Sequence, residues 1–142
     1  MRKLAVYCET LNHARAIHRW FQAHDLPSDT QIFLINVLPA FAYSEIGEGA
    51  GSFEWGHPRL QERHHVAIRE LAHELRALGL HSNTHLLVGS RAAELAKFCN
   101  MHEIEQLCLV RSARFWFDHF MTQQLIKKLR SLTHTRVVGV ES

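Results

Sequence analysis

Arg111 and Arg114 stand three residues apart in a turn that follows the apolar run Leu107 to Val110. Two guanidiniums so placed hold an anion by charge-assisted hydrogen bonds without help from any glycine. In a parallel α/β sheet the space past such a strand, facing a helix N-terminus, is where anionic ligands sit. Arginines in a surface turn are also commonly just solvated, so the pair alone assigns no ligand. Cys8 and Glu9 with His13 have the composition of a thiol–base pair, although one Cys and a nearby His arise often by chance. His64, His65 and His73 share one helical stretch with Glu62 and Arg69, but Arg69 falls between His65 and His73 and repels a cation. His81 and His85 share a strand face without a third ligand. Solvated faces account for both groups, and no metal is expected. Nucleophile-elbow, Walker and dinucleotide glycine patterns do not occur, nor does a Ser-Gly-Gly-x-Asp-Ser loop over residues 8–13. No catalytic residue is assigned and an enzyme is not expected, with weak ATPase-type activity left open.

The elements that must position these groups follow from periodicity. Lys3 to Cys8 is a continuous apolar run suited to a strand covered on both faces. Asn12 is the expected cap of a helix whose apolar stripe is Ala14, Ile17, Trp20, Phe21 and His24. Gln31 to Leu38 forms a second strand ending at Pro39, which lacks the N–H a ladder needs. Residues 40–57 hold four glycines among Phe41, Tyr43, Phe53 and Trp55, a composition for a lid over the strand ends or a surface that meets a protein partner. Pro58 opens a long helix with Leu60, His64, Ala67, Leu71, Leu75 and Leu78 as its inner stripe, and Gly79 ends it. Thr84 to Val88 is a third strand, and Gly89-Ser90 leads into a helix through Ala92, Leu95, Ala96 and Cys99. Leu107 to Val110 is the fourth strand. Its helix is expected to open at Asp118, with Met121, Leu125, Leu129 and Leu132 facing inward. Arg136 to Val140 closes the chain as a fifth strand. Alternating strands and helices predict one doubly wound, mainly parallel five-stranded α/β sheet, Rossmann-like, in strand order 3-2-1-4-5.

Composition narrows the function. At 142 residues and 46% hydrophobic, the chain suits a single domain, residues 1–142. A net charge of +2 creates no field for a polyanion, so nucleic acid is not an expected partner. No apolar run approaches membrane-spanning length and the first residues run straight into a strand, so a cytoplasmic protein without a membrane partner is the expectation. Three cysteines without CxxC spacing, two of them in apolar runs, read as buried free thiols.

Element for element, the chain resembles the universal stress protein family. Asn36-Val37-Leu38-Pro39 closes the second strand, Gly89 closes the third, and Ala93-Glu94-Leu95 follows in family style. The resemblance implies an Asp at the end of the first strand and a late Gly-x2-Gly-x9-Gly-Ser/Thr motif whose backbone N–H groups wrap the phosphates of ATP. Here Cys8 stands near the Asp position with Glu9 beside it. Val110, Ala113 and Gln123 stand at the three glycines, and Gln124 at the Ser/Thr. A Cβ blocks both positive φ and close approach of the backbone, and a β-branched Val is the poorest substitute. Phe115-Trp116 is similar to the A-type branch, whose members lack the ATP motif. The pocket positions Cys8, Glu9, Val37, Gly89, Val110, Arg111, Ala113, Arg114, Gln123 and Gln124 are therefore a degenerate set, and no cofactor is expected.

Val137, Val138 and Val140 on the last strand offer an edge with little charge to discourage pairing. A homodimer through that strand is the expected assembly, which the resemblance also implies. The chain is read as a non-catalytic stress-response or regulatory protein. The alternative is a divergent nucleotide or small-anion binder that uses Arg111 and Arg114 in place of the glycine loop.

Overall fold

The structure, a computed structural model, describes residues 2–38, 66–111 and 116–141, with side chains for all of these except residues 116–119. The stretch 40–57, the helix start at Pro58 with Leu60 and His64, and the turn residues Ala113 and Arg114 lie outside the described residues. In chain order the elements are β1 (Lys3–Tyr7), α1 (Leu11–Ala23), β2 (Gln31–Leu38), the helical residues 66–77 (α2), β3 (Ser82–Val88), α3 (Arg91–His102), β4 (Gln106–Arg111), α4 (Trp116–Leu132) and β5 (Arg136–Glu141). The strands form one parallel sheet in the order β3-β2-β1-β4-β5.

Unbroken apolar strands need cover on both faces, and the pleat sorts them into two cores. Leu4 and Val6 of β1 and Cys8 just after it, with Ile32 and Leu34 of β2, pack under α1 and α2 beside Ile17, Phe21, Leu71 and Leu75. Ala5, Tyr7, Phe33, Ile35 and Val37 pack under α3 and α4 with Leu95, Phe98, Ile126 and Leu129. Each buried Leu or Ile stabilises by about 1.5–3 kcal/mol over an exposed one, and the alternation makes a one-residue slip of β1 or β2 exchange the two cores.

At the helix ends two sequence expectations are corrected and one holds. Thr10, not Asn12, caps α1: its extended backbone (φ −127°, ψ 165°) lets its Oγ1 accept from the His13 N–H. Gly79 does stop α2, at φ +81°, in a Schellman arrangement where the Leu80 N–H donates to the Leu75 carbonyl and the Gly79 N–H to that of Arg76. The fourth-strand helix begins at Trp116 rather than Asp118. Asp118 thus lies within the first turn and not at the cap. This helix is also rotated from the expected stripe. Ile126 and Leu129 are its buried residues and Leu125 is partly buried, whereas Met121 and Leu132 are 49% and 45% exposed. The rotation follows from α4 lying against β4, β5 and α3 together. Cys8, Cys99 and Cys108 are free and buried, as expected from their apolar surroundings.

Candidate functional site at the carboxyl ends of the strands

Parallel strands leave a crevice at their carboxyl ends, and here the β1 end is a polar knot. Tyr7 is buried, and its hydroxyl donates to Glu9 Oε2 at 3.2 Å. Arg91, the first residue of α3, brings Nη2 to 3.5 Å from the same oxygen and its guanidinium carbon to 5.6 Å from the Tyr7 ring centre. Burial, and then the Glu9 carboxylate, push the Tyr7 phenol well above its ordinary range, so it acts as a neutral donor. Glu9 and Arg91 are thereby locked to each other.

The thiol–base reading of Cys8 fails on geometry. Cys8 Sγ donates to the Thr10 carbonyl at 3.7 Å, while His13 Nδ1 accepts from the Glu9 N–H at 3.3 Å. Burial, and then Glu9, push the Cys8 thiol up to about 12, which removes the thiolate that nucleophilic chemistry requires. Asn36 is fully buried, with its Nδ2 donating to the Cys8 carbonyl at 2.8 Å. It thus ties the end of β2 to the end of β1.

Beside this knot, on the α3 and α4 side of the sheet, lies a cleft of about 400 Å³. Val37, Gly89 and Arg91 form one wall, and Met121, Gln124, Leu125 and Lys128 of α4 the other. Apolar side chains make most of its surface, and the charges of Arg91 and Lys128 stand at its margin. Gly89 adopts φ +142°, open to glycine, with its N–H on the Leu38 carbonyl at 2.9 Å. A Cβ there would lie 2.9 Å from Glu94 Cγ, so the absence of a side chain is what lets Glu94 fold back on the turn.

Of the expected pocket positions, Val37, Gly89 and Gln124 meet in this cleft, and Glu9 adjoins it through Arg91. Val110 is buried within β4. Arg111 turns away to the β5 side, its Nη2 at 2.6 Å from Glu141 Oε1, and Gln123 faces the same way. Gln123 and Gln124 sit inside α4, eight and nine residues into its 17. Their backbone N–H groups are therefore engaged in the helix ladder and cannot wrap a phosphate. Arg91, Lys128, Met121 and Leu125 were not picked out from sequence as a site. The available signal was spacing: Met121, Leu125 and Lys128 share a helix face with Gln124, and Arg91 follows directly on Gly89-Ser90.

On β5, Val137 and Val140 are buried in opposite cores, and Val138 is half-buried. The Arg136 N–H donates to the Glu105 carbonyl beside β4. Alternation then turns the backbone groups of Val137, Gly139 and Glu141 to the outer edge. Among the described residues, no helix is long and apolar enough to cross a membrane, and no group of three or more His, Cys, Asp or Glu could hold a metal ion.

No family model matches the chain, and no curated protein matches it. Solved structures do. A universal stress protein family protein from Arabidopsis thaliana with AMP bound superposes with a TM-score of 0.69 at 10% identity, covering 99% of this chain and 92% of that one. Universal stress protein UspA from Lactobacillus plantarum gives 0.68 at 11% identity, covering 98% and 97%. A universal stress protein from Archaeoglobus fulgidus gives 0.65 at 9%, covering 99% and 93%. At such identities the likeness is one of architecture, and over essentially its whole length this chain has the fold of the universal stress proteins.

Proposed function

We propose that this chain is a non-catalytic stress-response or regulatory protein that acts as a homodimer and does not hold ATP by a backbone cradle. One observation carries the reading: α4 runs unbroken from Trp116 through Gln123 and Gln124, where a phosphate-wrapping loop would need free N–H groups and glycine. Val110, inside β4, adds a β-branched side chain at a further cradle position. Support for the homodimer is that β5 ends the sheet with outward backbone groups at Val137 and Gly139. A single domain and a cytoplasmic setting belong to the same reading, as does a protein partner for residues 40–57.

A second reading has its own support. Structural neighbours include a universal stress protein in complex with cAMP and the Arabidopsis protein with AMP, and this chain has a cleft with two cations at its margin. In that reading a small nucleotide lies against Val37 and Leu125 with its phosphate toward Arg91 or Lys128.

Thermal-shift titration with ATP, AMP and cAMP separates the two. A ligand at a hundred times its Kd stabilises by about 2.7 kcal/mol, or roughly 10 °C for a chain of this size. The first reading expects no shift. A shift of several degrees that disappears in Lys128→Ala installs the second. Sedimentation at rising concentration tests the dimer separately: a wild-type protein that stays monomeric at high micromolar concentration removes it, and Val138→Asp should weaken association while the circular dichroism spectrum stays native.

A further inference from the structure

We propose that the groove between α4 and β5 is a separate anion site that takes a phosphoryl dianion, held by Arg111 and Arg130. The groove measures about 430 Å³ and is largely polar. It lies on the opposite side of α4 from the cleft: Gln123, Ile126 and Arg130 face it, whereas Gln124, Leu125 and Lys128 face the cleft. Among the described residues, two guanidiniums on this face of the sheet, Arg111 and Arg130, and one carboxylate, Glu141, border it. With Glu141 displaced, the two positive charges match a dianion.

Each arginine is placed by a specific feature. Arg111 ends β4 and lays its side chain across Gly139, where a Cβ would collide with its Cδ, Nε and Cζ. Glycine at 139 is what makes this seat. Arg130, in the last turn of α4, reaches the outward carbonyl of Val137 with Nη2 at 3.0 Å. Val137 and Gly139 are two residues apart, so the two anchored heads are set roughly 6.6 Å apart along the strand. A tetrahedral oxyanion bridges such a span with charge-assisted bonds of about 2.8 Å, and guanidinium forks suit it better than ammonium groups do.

Two further observations point to a ligand. Arg111 Nε is shielded from water and has no hydrogen-bond partner among the described residues, a state that costs free energy unless an acceptor arrives. Glu141 Oε1, at 2.6 Å from Arg111 Nη2, already sets an oxyanion on this guanidinium, and the Glu141 side chain is 59% exposed and free to swing outward. Glu141 is thus an internal occupant that a dianion replaces. The site does not depend on the cleft, but it uses the β5 edge, so anion binding and pairing through that strand compete.

Calorimetric titration of the full chain with inorganic phosphate and with methyl phosphate, at constant chloride, tests this. The expected result is saturable binding at one site per chain, weakened roughly tenfold by Arg130→Ala and strengthened severalfold by Glu141→Gln, which removes the competing carboxylate. Lys97→Ala, an exposed cation on α3, should leave the affinity unchanged. Tighter binding of methyl phosphate identifies a phosphomonoester as the ligand, and tighter binding of inorganic phosphate identifies the free ion. In parallel, the Arg111 Nε–H resonance should move with phosphate in wild type, which keeps the proposal testable if a variant loses its fold. No saturable binding, equal loss in Arg130→Ala and Lys97→Ala, or an affinity indifferent to Glu141→Gln overturns it.

Discussion

Gly89→Ala probes the turn that joins the sheet to the cleft. At φ +142° an alanine sits in a region that side-chain-bearing residues rarely adopt, and such strain costs about 1–3 kcal/mol. The new Cβ also falls 2.9 Å from Cγ and Oε1 of Glu94. Those atoms are on a flexible side chain that can move, so the contact adds less than the dihedral. A loss of about 2 kcal/mol follows, which at about 4 °C per kcal/mol for a chain near this size lowers the Tm by roughly 8 °C. Scanning calorimetry of Gly89→Ala, Glu94→Ala and the double variant separates the causes. The double variant should recover only a minor part of the loss. If it returns to the Tm of Glu94→Ala alone, crowding rather than backbone conformation was the whole cost. If Gly89→Ala melts within a degree of wild type, the turn is not strained and the reasoning fails.

Leu129→Ala removes a fully buried α4 side chain beside Ile126 and should cost about 2–5 kcal/mol in chemical denaturation with an unchanged slope. The three thiols, pushed up to about 12 at Cys8 and about 11 at Cys99 and Cys108 by burial, should react slowly with a disulfide reagent at pH 8 and rapidly once the chain is unfolded; fast native labelling would show that the cores open. His85 packs among Phe33, Phe98 and His102, 4.9 Å from the Phe98 ring centre, and burial, then His102, lower its pKa. A histidine lowered in the folded state binds more protons when unfolded. Its contribution is therefore complete above the ordinary histidine pKa of 6.5 and falls away as the solution is acidified below that value. His85→Phe should accordingly lose less Tm than wild type between pH 7 and pH 5, and an identical loss in both would exclude His85 as a source of acid sensitivity.

Architecture was legible because the central strands are almost wholly apolar. Runs such as Lys3 to Cys8 and Gln31 to Leu38 announce burial on both faces, and burial on both faces in a short chain demands a parallel sheet between helix layers. Gly79 stood out for a similar reason, since only one residue type accepts its conformation without strain. Local side-chain geometry was less readable. Thr10 and Asn12 are both good caps by type, and only the backbone at residue 10 decides between them. The face of α4 depends on three neighbours at once, so of the stripe Met121, Leu125, Leu129 and Leu132 only Leu129 is fully buried and Leu125 partly so, with Ile126 in place of the exposed Met121 and Leu132. Arg111 shows the limit most clearly. A turn after β4 places it at the crevice by sequence, but Gly139, 28 residues later, opens a seat that draws it to β5. No local pattern carries that information.

Amide hydrogen exchange at Gln123 and Gln124, followed residue by residue with and without ATP, bears most directly on the account. A continuous α4 predicts that both amides are protected in the free protein and that their rates do not change with nucleotide. Fast exchange in the free protein that slows when ATP is added would mean that a loop, not a helix, meets the phosphates there, and would contradict it.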